Sequence, residues 1–166
     1  MRQNVRVACL LAVFLAAASP GLAQQVPPPV QGRAVIAGQP FDLRHAWLIR
    51  GPDAFEPGKM NAFIVMAPDD ISADLSKCPT VKCAIWDVLK NGVILQPEKD
   101  GSFWIRALHP RLAKEQQLSA RGWTASIDQD VRVAGRLRWE PQGKDPPILD
   151  LTIDAALLKS YPADPP

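Results

Sequence analysis

Two cysteines, Cys78 and Cys83, stand close together with Pro79-Thr80-Val81-Lys82 between them. A disulfide across so short a loop is worth roughly 2 kcal/mol of chain entropy. Its effect is local, because it pins the turn that it closes. Two rival chemistries also use paired thiols. A redox pair wants two intervening residues inside a thioredoxin-like unit, and a zinc site wants further ligands at a matching spacing. Neither pattern follows here, so the pair reads as a structural disulfide of an oxidising compartment.

The two histidines, His45 and His109, could join Met60 in a copper-type site, since imidazole and thioether suit that metal. Met66 falls in an apolar run and reads as core. His45, in a strand, reads as a structural histidine with a satisfied hydrogen bond, and Met60 as a loop residue. Ser102, Ser119 and Ser126 supply hydroxyls for a Ser-His-Asp hydrolase, but none sits in a G-x-S-x-G turn. Asp69-Asp70 could act as paired carboxylates, although after Pro68 they read as a turn that caps a following helix. A further pattern is a stripe of Arg132, Arg136 and Arg138 followed in the chain by Asp150, Thr152 and Asp154. On neighbouring strands these would form cross-strand ion pairs on a solvated face, or an interaction surface. No catalytic residue, cofactor site or metal site is assigned.

Those residues must be placed by a chain with an export signal in front. Arg2 and Arg6 precede an apolar run over 7–18. Ser19-Pro20-Gly21-Leu22-Ala23 then offers small residues for cleavage after Ala23. The run is too short to cross a bilayer core, which takes about 20 residues, so no membrane anchor is expected. Cys9 lies too early in the run for lipid attachment. Cleavage removes two arginines and no acidic residue, which turns the formal charge of +2 into zero. A neutral chain has no electrostatic footprint for nucleic acid or an anionic membrane. The expected location is periplasmic or secreted.

The remaining length suits one domain. Residues 24–31 (QQVPPPVQ) form a stiff Pro-rich lead. Residues 32–158 are expected to fold as a single domain, with a flexible tail over 159–166. Strand signals occupy 32–37, 43–50, 62–67, 93–96, 102–108, 117–127, 131–139 and 149–155. The run 62–67 (AFIVMA) is apolar throughout, as in a buried strand. Gly122 suggests a bulge, and Asp100-Gly101 a hairpin turn. Between the strands 62–67 and 93–96, residues 71–77 and 82–90 space apolar residues at helical intervals, with Ile85, Val88 and Leu89 on one face. The last strand alternates most cleanly: Leu149, Leu151, Ile153 and Ala155 inward, Asp150, Thr152 and Asp154 outward. Its expected partner is the strand 131–139. About eight strands, short turns and one helical insertion predict a mainly β fold, an antiparallel β-sandwich. Trp47, Trp86, Trp104, Trp123 and Trp139 are spread along the chain and read as core and interface.

The order of these signals resembles a group of small exported bacterial β-sandwich domains without established function. The likeness rests on Gly32–Ala46, on Phe63-Ile-Val-Met66 before a Pro-Asp turn, on Asp100-Gly101, on His109-Pro110 and on Gly135-Arg-Leu137. It implies an exported β-sandwich and carries no catalytic residue across. Cys78 and Cys83 lie outside its pattern. The expectation is therefore a non-enzymatic exported module that binds a protein or envelope component through a sheet face or its loops. The alternative is a periplasmic copper-type metal handler. Oligomeric state is left open.

Overall fold

The computed structural model describes residues 28–53, 58–143 and 146–163. The export signal, its cleavage site and the start of the Pro-rich lead fall outside these residues. Strands make up 56% of what is described, which makes the protein mainly β. They are β1 (Val30–Ile36), β2 (Gln39–Phe41), β3 (His45–Pro52), β4 (Met60–Ala67), β5 (Gly92–Pro97), β6 (Ser102–Leu108), β7 (Gln116–Arg121), β8 (Trp123–Gln129), β9 (Arg132–Trp139) and β10 (Ile148–Ser160). Helix α1 (Ser72–Lys77) and a π-helical turn (Cys83–Asp87) lie between β4 and β5. Among the described residues no helix is long and apolar enough to cross a membrane.

The strands form one curled half-barrel sheet, where two stacked antiparallel sheets were expected. Two features cause the difference. First, β10 is 13 residues long and shares one edge between two strands. β1 runs antiparallel along its first half (Val30 opposite Ile153), and β3 runs parallel along its second half (Trp47 opposite Ala156). Its other edge carries β9. Second, the expected strand 117–127 is split at Gly122. β7 pairs with β6, whereas β8 pairs with β9 on the other arm of the sheet. Gly122 has φ +148°, and a Cβ there would lie 2.2 Å from the Arg138 carbonyl oxygen. Its amide donates to Gly101 and its carbonyl accepts from Arg138, so both arms meet on this glycine. Alternation in a sequence marks which side chains face inward. It does not say whether they meet a second sheet or the same sheet curled round.

Leu149, Leu151, Ile153 and Ala155 are buried inside the curl, with Leu48, Ile64, Met66, Leu95 and Ile105. β10 pairs with β9 through Leu151 opposite Leu137, the partner that consecutive order predicts. A second apolar cluster lies on the outer face. Ile49, Phe63, Val65 and Ile94 are covered there by Leu75, Ala84, Ile85 and Leu89 from the helical insertion. Covering on both faces is why 62–67 shows no polar alternation. Gln39 and Pro40, outside the expected strands, belong to the short strand β2, which folds back on β1 through Ala37 and Gly38, both at positive φ. β1 begins at Val30 inside the expected lead, and β10 runs on to Ser160. Tyr161 is buried, so the first residues assigned to a tail complete the sheet and its outer cluster.

Candidate functional site

The helical insertion is held on the sheet by specific contacts. Asp70 Oδ1 accepts the Ser72 amide at 2.9 Å at the start of α1, and hydrogen bonding to the Ser72 side chain and then to its amide holds the carboxyl below the usual carboxylate range. Asp69 instead faces Arg44. Cys78 and Cys83 are joined by a disulfide with Cα atoms 5.4 Å apart. The Cys83 amide donates to Thr80 Oγ1, and the Val88 amide to the Cys83 carbonyl. From β10, Lys159 Nζ donates to the carbonyls of Ser76 and Cys78. The Tyr161 hydroxyl donates to Cys78 as well, and burial pushes its pKa up. Beneath the loop, Val81 seats on Gly51, where a Cβ would meet it at 2.7 Å.

Arg106, on the outer face of β6, is the main anchor and is buried. Its Nη1 donates to the Ile85 carbonyl at 2.9 Å and the Trp86 carbonyl at 3.3 Å. Its Nε donates to Glu115 Oε2 at 2.7 Å. Its guanidinium carbon lies 4.5 Å from the centre of the Trp86 ring, a cation–π arrangement. Hydrogen bonds from Arg106 and then Gln117 hold the Glu115 carboxyl below its ordinary pKa.

Beside this anchor runs an open groove of about 910 Å³. Its floor is the outer face of the sheet, with Asn61, Phe63, Gln96 and Trp104. One wall is the whole disulfide loop 79–82 followed by Ile85 and Trp86; Asp53, Tyr161 and Pro162 close one end. The indoles of Trp86 and Trp104 stand 6.0 Å apart and tilted by 52°. Aromatic walls with a few polar groups at fixed positions are the usual make-up of a small-ligand site.

The predicted charge stripe lies elsewhere, on the uncovered part of the outer face. Arg132 forms a bidentate pair with Asp154, and Arg136 donates to Asp150. The Arg132 bonds hold Asp154 below the carboxylate range. Arg138 is exposed and takes no part in either pair. Cross-strand pairing thus neutralises most of the stripe, which leaves few charges for a partner.

The copper candidates are not brought together. His45 lies opposite Ala67 and Met60 opposite Pro52, at the two ends of the β3–β4 hairpin, about 20 Å apart at strand rise. His45 stacks on Trp47. His109 packs its edge on Phe41, and its Nδ1 accepts the Arg111 amide. Among the described residues no three His, Cys, Asp or Glu gather as a cation site. The serines are equally scattered. Ser102 opens β6 and is bonded to Asp100, while His109 follows the far end of the same strand.

The groove residues Trp86, Trp104 and Gln117, and Arg106 beside them, were not singled out as site residues from the sequence. One signal was present: in β6, Trp104 and Arg106 alternate with buried Phe103, Ile105 and Ala107, which puts an indole and a guanidinium on one outer face. Comparison with protein-family models, curated proteins and solved structures finds no match to this chain.

Proposed function

We propose that this protein is an exported, non-enzymatic binding module, and that it holds its ligand in the groove between the disulfide loop and the outer face of β4–β7. The observation that carries this reading is the groove itself, whose wall is built from every residue of the loop that the disulfide closes. A cross-link of small stabilising value makes sense where it fixes the shape of a binding wall before the ligand arrives, because preorganisation removes an ordering cost from binding. The disulfide also supports export, since such bonds persist in oxidising compartments. The N-terminal signal pattern points the same way, to the periplasm or beyond.

Trp86 and Trp104 give the test its readout. Low-molecular-mass fractions of envelope extract, titrated into oxidised protein, should shift tryptophan emission, and Trp104→Ala should abolish the shift. If no fraction shifts the emission, or if Trp104→Ala responds like the wild type, the groove is not the binding site. N-terminal sequencing of exported protein should begin at Gln24; a chain that keeps Met1 would sink the export reading.

A further inference from the structure

The polar atoms left over in the groove specify more than its shape does. Gln96 Nε2 donates to Glu98 Oε1 at 2.9 Å, and Gln117 Nε2 donates to Glu115 Oε1 at 2.7 Å. A carboxylate only accepts, so each carboxamide must turn its NH₂ toward it. The carbonyl oxygens of both glutamines are then the atoms that remain for a ligand. The indole N–H groups of Trp86 and Trp104 bond to no protein group among the described residues and supply donors beside those acceptors. In charge the lining is balanced, with one acidic side chain, Asp53, and one basic, Lys82.

We propose that the groove takes a neutral saccharide chain, an inference that rests on the groove being the binding site. A sugar ring has an apolar C–H face to lay on an indole, and a rim of hydroxyls that both donate and accept. It matches paired indoles flanked by acceptors and donors. A polyproline segment also favours aromatic grooves, but it offers carbonyl acceptors and no N–H, so the glutamine oxygens would be desolvated without a partner. That omission is costly for any buried polar group. An acyl chain would leave the glutamine oxygens and the indole N–H groups unpaired. A polyanion would find no excess of positive charge. Arg106 lies over the Trp86 ring, which holds the indole in place.

The test is calorimetric titration of the oxidised protein, as recovered after export, with four probes. They are a hexamer of β-1,4-linked N-acetylglucosamine, the matching glucose hexamer, a proline decapeptide and palmitate. At least one hexasaccharide should bind, and the stronger of the two says whether the acetamido group is read. Trp104→Ala should weaken that binding roughly tenfold or more, as loss of an aromatic contact does. Gln117→Leu, at an exposed position, should weaken it while leaving the melting temperature within a degree or two of wild type. Binding of the peptide or palmitate alone, sensitive to Trp104→Ala, would keep the groove as the site and overturn the saccharide. Failure of all four probes would overturn it too, and the extract titration then judges the groove separately. Saccharide binding that ignores both substitutions would place it elsewhere and end the proposal.

Discussion

The outer face of this one sheet is treated in two ways. Over β3, β4 and β5 it is apolar and roofed by the helical insertion, with Ile49, Val65 and Ile94 fully buried. Over β9 and β10 it is open and carries the ion pairs of Arg132 with Asp154 and of Arg136 with Asp150. Both halves share the same inner core. The difference teaches where ligand chemistry can be built on such a sheet. The open half is self-neutralised and presents little to recognise. The roofed half has an edge, where the insertion stops and the sheet continues, and the groove lies along that edge. A roof that is docked, cross-linked and pinned gives a wall of fixed shape beside a flat floor.

The comparison breaks first at Ile94. It and Asp154 both project from the outer face, one under the roof and one in the open. Ile94→Ala should cost about 2–5 kcal/mol in denaturant unfolding, the range for a buried aliphatic truncated to a cavity. If it costs no more than an open-face substitution, the roof contributes nothing and the contrast fails. Arg106→Met comes next. It strips the Ile85 and Trp86 carbonyls and Glu115 of their partner, and charged hydrogen bonds of this kind are worth roughly 1.5–3 kcal/mol. The loss should be local, so hydrogen exchange should quicken in 83–88 before it does in β9 and β10.

Joint replacement Cys78→Ser/Cys83→Ser should cost about 2 kcal/mol and should loosen 79–82 in particular. Saccharide or extract binding should fall more than stability does. Equal quickening of exchange across the whole sheet would mean that the bond supports the fold at large and not the wall. Acid should act in the same region. The Glu115 pKa is depressed in the folded state below its ordinary 4.5, chiefly by hydrogen bonds from Arg106. The contribution of the pair is therefore complete above the unfolded value and is lost as pH falls through the lower folded value. Melting curves of wild type and Glu115→Gln should differ at pH 7 and converge well below pH 4. The smallest effect belongs to the open face. Asp154→Ala breaks an ion pair whose members are both about half exposed, 49% and 45%, and should cost under about 1 kcal/mol. If Asp154→Ala matches Ile94→Ala, burial is not what separates the two halves. If it spares stability yet abolishes binding of an envelope partner, the stripe is an interaction surface after all.

The sequence by itself determined the local and periodic features. The alternation of 149–155 assigned the inward and outward faces of β10 correctly because a strand has only two sides. Consecutive order identified β9 as its partner. The unbroken apolar run at 62–67 announced a strand covered on both faces. The spacing of Cys78 and Cys83 gave the disulfide. Tertiary structure alone decided how the strands close up and where the groove forms. Nothing local tells β10 to accept β1 and then β3 on one edge, since backbone pairing uses groups that every residue carries. Nothing local says that Gly122 divides a strand between two arms and is not merely a bulge. The groove draws Asn61, Trp86, Trp104 and Tyr161 from four separate segments. Each of them, read alone, is an ordinary core or surface residue. Only the docking of the insertion, through contacts such as Arg106 to Ile85 and Lys159 to Cys78, gathers them, because long-range packing and not sequence proximity sets which side chains share a wall.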